Sequence, residues 1–205
     1  MPRLYLVRHA ESPCNLDRTF SCRHVDPPLT ERGVAQARAL ADWFVGRPIA
    51  HVYSGPLQRA RLTAQEIARA TSAPLTVDEA LRELDVGELE GRCDQAAWDA
   101  HDAVIARWWR DDRAAAFPGG ESYAQIYARL TEFFDRVRRA HPTRDVVAVG
   151  HGGIFCSVLP RVCAIPHPPG TRLVLDNTAV TILRSEADLS CEVWNGLPHL
   201  APSAR

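Results

Sequence analysis

Asp145-Val146-Val147-Ala148-Val149-Gly150-His151-Gly152-Gly153-Ile154 is the stretch that decides the fold. Its four consecutive apolar residues read as a strand buried on both faces, the kind found inside a parallel sheet. The glycines after it turn the chain into a helix predicted over Ile154 to about Cys163. Working outward, Leu4-Tyr5-Leu6-Val7 is a second short buried strand and His51-Val52-Tyr53-Ser54 a third. Thr30 can cap a helix from Glu31 to Phe44 that puts Val34, Ala37, Leu40, Ala41 and Phe44 on one face. Pro56 starts a helix through about Ala70. The chain then reads as irregular to about Gly91, helical from Gln95 to Arg113, and broken at Pro118-Gly119-Gly120. Ser122 with Gln125 three positions on is a capping-box pattern for a long helix ending near His141. Thr178 to Leu183 and Cys191 to Trp194 close the chain as strands, with a loosely held tail after Gly196. Strands alternating with helices predict one α/β domain over 1–205, a three-layer sandwich with a mostly parallel central sheet and helices on both faces.

Composition narrows the function. The 205 residues are 46% hydrophobic and carry a formal net charge of −1, which gives no whole-molecule attraction to nucleic acid or to an anionic membrane. No apolar run reaches the eighteen or so residues of a membrane span, and no signal-peptide core is present, so a cytoplasmic protein with reduced thiols is expected. The six cysteines include no Cys-x-x-Cys pair and read as small buried hydrophobes. All 24 basic residues are arginine. Lysine Schiff-base chemistry and a P-loop lysine are therefore excluded, and any anion site must use arginine, histidine and backbone amides.

In open α/β sheets ligands collect at the carboxyl ends of the strands. His9 directly follows the first strand and His151 follows the strongest one. Arg59 and Arg61 fall in the first turns of the helix after His51–Ser54, where free amides and partial positive charge suit an oxyanion. Two histidines, Arg8 and a helix-borne arginine make a compact cationic pocket that needs neither metal nor cofactor. The thiol-phosphatase spacing, an Asp-x-Asp at a strand end and metal-ligand spacings are all missing from the sequence.

Arg8-His9-Ala10-Glu11-Ser12 with Asn15 resembles the signature of the histidine phosphatase superfamily, which includes the phosphoglycerate mutases. Asp26-Pro27-Pro28-Leu29-Thr30-Glu31-Arg32-Gly33 with Gln36-Ala37 is similar to a second block of that family, and Ser54-Gly55-Pro56-Leu57-Gln58-Arg59-Ala60 with Thr63-Ala64 to a third. Leu81-Arg82-Glu83 with Gly87 and Glu90-Gly91 resembles a fourth. Pro118-Gly119-Gly120-Glu121-Ser122, Gly150-His151-Gly152-Gly153 and Asn177 complete a set whose order, between residues 7 and 177, is far more specific than a lone Arg-His pair.

The resemblance implies a phosphoglycerate mutase-like fold and a covalent mechanism. His9 would be the nucleophile, and a neutral imidazole near its usual pKa of about 6.5 is chemically able to attack phosphorus. Arg8, Arg59 and His151 would bind the non-bridging oxygens, with Asn15 and Ser12 as secondary phosphate contacts. Glu83, in one acidic cluster with Asp85, Glu88 and Glu90, would be the acid–base group. Arg61 reads as surface.

Two activities share such a pocket. The acid block Leu84 to Gly91 resembles the compact bacterial phosphatase branch, so the expected function is metal-independent hydrolysis of a small-molecule phosphomonoester. A phosphoglycerate mutase is the alternative, and a non-catalytic binder of phosphorylated ligands a third reading. Ala10 replaces the family's usual glycine beside the nucleophile and could narrow the pocket. Arg23, with Arg18 and His24, stands where it could add positive charge at the pocket mouth and favour substrates with a second anionic group. Segment 95–120 reads as a lid with Trp98, Trp108, Trp109 and Phe117 on its inner face, although Trp108-Trp109 also fits packing of an amphipathic helix. A small phosphate ester is thus the expected partner, without nucleic acid or membrane, and a homodimer is compatible with a compact enzyme.

Overall fold

The computed structural model describes residues 2–165, 173–185 and 189–200. Strands β1 (Arg3–Arg8), β2 (Ile49–Ser54), β3 (Leu75–Val77), β4 (Asp145–Gly150), β5 (Val180–Ser185) and β6 (Leu189–Gly196) form one sheet in the order β3-β2-β4-β1-β5-β6. The first four run parallel, while β5 and β6 extend the sheet antiparallel beyond β1. The predicted α/β architecture with a mostly parallel central sheet is what forms.

Alternation along the central strands explains why both faces are covered. Leu4 and Leu6 of β1 and Val146 and Ala148 of β4 face one core, which α5 (Tyr123–Ala140) closes with Ile126, Leu130 and Phe133 and α6 (Gly152–Val162) with Ile154 and Phe155. Tyr5, Val7, Val147 and Val149 face the other, where α2 (Glu31–Phe44) contributes Leu40 and Phe44 and α3 (Gln58–Thr71) Ala60, Ala64 and Ile67. Period-two strands feeding two helical layers make the three-layer sandwich.

The caps behave as the chemistry dictates. Thr30 accepts the Gly33 N–H at 2.9 Å, and Ser122 and Gln125 close their reciprocal box at the start of α5. The helix predicted from Pro56 begins at Gln58 instead. No side chain at its own N-cap, Leu57, does the capping. The Asp26 carboxylate accepts the Gln58 N–H at 2.8 and 3.0 Å from a distant loop. Helix α4 (Gln95–Trp109) stops four residues short of the predicted Arg113, because Asp111 turns left-handed (φ 68°).

Four short elements escaped the sequence reading: helix α1 (Pro13–Leu16), and, inside the stretch read as irregular, β3 and single helical turns at Glu79–Leu81 and Gly87–Leu89. The tail after Gly196 is not all loose, since Pro198–Leu200 forms a single turn and His199 Nε2 meets the Thr178 hydroxyl at 3.0 Å. Its part beyond 200 lies outside the described residues. No helix of the described residues is long and apolar enough to cross a membrane.

Candidate active site

The parallel register of β1 and β4 brings the two histidines together. Arg8 stands opposite Gly150, and the His9 N–H donates to the Gly150 carbonyl at 3.0 Å. The rings of His9 and His151 then lie 5.1 Å apart, tilted by 56°. Both are buried, 2% and 0% exposed.

Partners fix the tautomer of His9. Nδ1 lies 2.7 Å from the Ala10 carbonyl, which can only accept, so Nδ1 carries the proton. Arg59 Nε–H donates to Nε2 at 3.1 Å, so Nε2 holds the lone pair. Burial, then the charges of Arg59 and Arg8, push this imidazole well below its usual range. His151 is lowered well below too, by burial first and then Arg59, His9 and Arg8. Neither ring nitrogen of His151 has a partner among the described residues, although both are buried. Such orphaned polar atoms suit an incoming oxyanion.

Arg59, in the first turn of α3, is 3% exposed. Its NH1 donates to the Ser21 hydroxyl at 2.7 Å and its NH2 to the Ser21 carbonyl at 2.8 Å. The loop carrying Ser21 is itself held by Glu90, whose Oε1 accepts the N–H groups of Cys22, Arg23, His24 and Val25 at 2.6 to 3.1 Å. Burial raises the Glu90 carboxyl, but these four donors outweigh it and leave the group below its ordinary value. Arg8 donates through NH1 to the Leu175 carbonyl, and its buried Nε has no partner among the described residues. Arg61 is exposed, as expected.

Of the acidic cluster, Glu83 alone lines the cavity beside these groups. Its Oε1 accepts from Leu84 N at 2.8 Å and Ile154 N at 2.9 Å, and its Oε2 from Gly153 N at 3.1 Å, so the carboxyl rests on the N-terminus of α6. A Cβ on Gly153 would stand 2.7 Å from Oε1, so the close approach requires glycine. Asp85 ion-pairs with Arg23, Glu90 holds the Ser21 loop, and Glu88 is exposed. The segment bearing Glu83 is clamped by Arg129, whose NH1 donates to the carbonyls of Ala80 and Arg82 at 2.7 and 3.0 Å. Arg129 is bidentate to Glu121, both contacts 2.8 Å.

The other predicted contacts divide. Asn15 lines the cavity. Ser12 does not: it is fully buried, and its N–H and hydroxyl go to Asn15 Oδ1 at 2.9 and 3.3 Å. Asn177 Nδ2 also donates to Asn15 Oδ1, at 3.1 Å, so Ser12 orients Asn15 rather than lining the pocket. Arg23 is not at the cavity either, because the buried Asp85 carboxylate draws its guanidinium away. Arg18, mentioned only beside it in the sequence reading, does line the cavity. Ala10 is fully buried and is not among the residues lining the cavity.

The cavity measures about 940 Å³. Trp98 and Trp109 of α4 line it, whereas Trp108 and Phe117 belong to the core, against the expectation of one shared inner face. The cysteines are not uniformly buried: Cys93 is exposed, and Cys14, Cys22 and Cys156 line the cavity. Ser21 and Glu90 were missed as supports of the site because their role depends on a fold-dependent approach of loops. Arg129 was missed for the same reason, since its partner Glu121 precedes the cap of α5 and the carbonyls it holds lie more than forty residues away.

With this geometry in place, likeness to known proteins is decisive. Residues 4–195 match the model of the histidine phosphatase superfamily (branch 1). The chain is 34% identical over 163 residues to phosphoserine phosphatase 1 of Hydrogenobacter thermophilus, covering 78% of this chain and 77% of that one. It is 31% identical over 202 residues to phosphoglycerate mutase-like protein 4 of Arabidopsis thaliana, covering 96% and 86%. A mycobacterial glucosyl-3-phosphoglycerate phosphatase, solved as a complex with VO3, superposes with a TM-score of 0.80 at 28% identity, covering 96% of this chain and all of the other. The chain belongs to the histidine phosphatase superfamily, and it is a phosphoric monoester hydrolase of that type.

Proposed function

We infer that the protein hydrolyses small-molecule phosphomonoesters in two displacements at His9, without a metal ion. The observation that carries this reading is the neutral His9 ring whose Nε2 lone pair, among the described residues, meets the Arg59 guanidinium. A phosphoryl oxygen is a better acceptor for that guanidinium than an imidazole nitrogen, so substrate binding frees the lone pair as it recruits the arginine. Nε2 then attacks phosphorus while the ester P–O bond breaks, and Glu83 gives its proton to the departing oxygen. In the second displacement Glu83 takes a proton from water, the new O–P bond forms, the N–P bond breaks and His9 returns neutral. Arg8 and Arg59, which line the cavity, face the charge of the transferring group, and His151, buried beside His9 rather than in the cavity wall, offers its unpartnered ring nitrogens to the same group, the electrostatic task that metals perform elsewhere. Asn15 is a further phosphate contact, oriented by Ser12 and Asn177.

Of the expected lid over 95–120, helix α4 carries the role, with Trp98, Ile105 and Trp109 against the cavity, while Phe117 in the segment after it packs in the core. Six free cysteines fit residence in the reducing cytoplasm. The phosphoglycerate mutase-like relative keeps a second reading in view, in which His9 passes its phosphoryl group to another oxygen of the substrate. The test is phosphate release in EDTA from a panel of phosphomonoesters by the wild type and by His9→Ala. Release that is lost in the variant supports hydrolysis. Isomerisation of 3-phosphoglycerate without release supports the mutase reading, and neither reaction would leave only a binding role.

A further inference from the structure

The cavity is larger than a phosphate site needs. At about 940 Å³ it falls in the range that encloses a drug-sized ligand, and the groups assigned to the phosphoryl centre occupy only part of its wall. Elsewhere the wall is made by Phe20, Trp98, Ile105 and Trp109, with Arg18 and Arg110 among them.

Arg18 is held in that wall by two contacts with one tryptophan. Trp98 Nε1 donates to the Arg18 carbonyl at 3.1 Å. The guanidinium of Arg18 lies over the same ring, Cζ 4.5 Å from its centroid, within cation–π range. The backbone of Arg18 is left-handed, φ 59°, a costly conformation for a side-chain-bearing residue and one that gathers at ligand-contacting loops. Arg18 is exposed, and a ring face supports the plane of its guanidinium while leaving the five N–H donors free to exchange water for a ligand. Among the described residues no carboxylate pairs with Arg18, whereas Arg23 is paired with Asp85. Charge balance points the same way. Arg8, Arg18, Arg59 and Arg110 share the wall with two carboxylates, Glu83 and Asp102. The arginines of the wall thus outnumber its carboxylates by two, an excess that anionic groups of a substrate would meet.

Resting on the phosphatase reading, we propose that Arg18, braced by Trp98, is a second anion subsite, and that the substrates are phosphomonoesters bearing a further carboxylate or phosphate. The competing role for Arg18 is a tether between its loop and α4, which would be blind to substrate charge.

Steady-state kinetics on matched esters separates the two. Phosphoserine is compared with phosphoethanolamine, and 3-phosphoglycerate with glycerol 3-phosphate, each second member lacking the carboxylate. Glucose 1,6-bisphosphate against glucose 6-phosphate probes a second phosphate. The wild type should prefer the more anionic member of at least one pair. Arg18→Met keeps the apolar contact with Trp98. It should cut kcat/KM for that member about tenfold, chiefly through KM, and leave the other member within about twofold, the loss of one charge-assisted contact. Arg18→Lys should retain part of the preference, since it keeps the charge. Equal losses on both members, or a ratio indifferent to Arg18, overturn the subsite while leaving the phosphatase reading intact. A wild type that releases phosphate from none of these esters overturns both.

Discussion

Arg59 donates its Nε–H to Nε2 of His9 at 3.1 Å, so in the proposed mechanism the guanidinium that guards the nucleophile in the free protein is the one the phosphoryl group engages. That guanidinium is aimed by Ser21, through both hydroxyl and carbonyl. Arg59→Lys removes the planar fork and its Ser21 contacts while keeping the charge. It should lower kcat about 10²- to 10³-fold, the usual cost of losing one preorganised oxyanion donor. Ser21→Ala spares the carbonyl contact and should cost less, about tenfold. Steady-state kinetics with p-nitrophenyl phosphate decides it, and an Arg59→Lys enzyme of near wild-type rate would refute the role.

Arg129 reaches no part of the cavity wall, yet it holds the carbonyls of Ala80 and Arg82 and is itself held by Glu121. Its effect on chemistry should run through the placement of Glu83. Misplacing an acid hurts only leaving groups that need a proton. Arg129→Gln should therefore reduce kcat/KM for alkyl phosphates by about 10²-fold, the scale of a one-ångström misplacement, and spare p-nitrophenyl phosphate. A plot of log kcat/KM against leaving-group pKa should steepen as it does in Glu83→Gln. An equal loss across all leaving groups would mean that Arg129 supports only the fold.

Gly153→Ala tests the seat of Glu83 directly. The added methyl would meet Oε1 at 2.7 Å and force the carboxyl from the amides of Gly153 and Ile154. The same leaving-group dependence should follow, with acid–base assistance worth about 10²–10⁴-fold at stake. Unchanged kinetics would show that the carboxyl acts from elsewhere.

Stability should fall in mild acid. His9 and His151 are lowered by burial and by neighbouring guanidiniums. The unfolded chain, with imidazoles near 6.5, therefore takes up protons that the folded one refuses. Their contribution is complete above about pH 6.5 and is lost progressively below it, by up to ~1.4 kcal/mol per pH unit for each ring. His51, His141 and His199 are lowered too, all by burial first, and add to the slope. Denaturant unfolding at pH 5 to 7 should show this decline, with a shallower slope in His151→Asn. A stability independent of pH across that window would contradict the buried, neutral state of the pair.

Much of this molecule was legible in its residues, and what was not shares a cause. The Val146–Val149 strand, the Thr30 cap and the Ser122–Gln125 box rest on local chemistry, and each formed where the sequence put it. The ordered blocks also pointed to Arg8, His9, Asn15, Arg59, Glu83 and His151, and the fold brings these six close together. The start of α3 was displaced because its cap comes from Asp26, 32 residues away. Arg23 was misplaced because its partner Asp85 is remote in sequence, and Ser21 was missed because it lies 38 residues from Arg59. A charged side chain announces its type in the sequence; which carboxylate claims it is decided only when the chain is folded.

The most direct test of the account is to quench the wild-type enzyme with denaturant during turnover of a 32P-labelled phosphomonoester and to characterise the labelled protein. The account requires one phosphoryl group, stable in alkali and labile in acid, on the peptide containing His9, and its disappearance in His9→Gln. Label on another residue, or single-step hydrolysis with no phosphoenzyme under conditions that trap one, would contradict it.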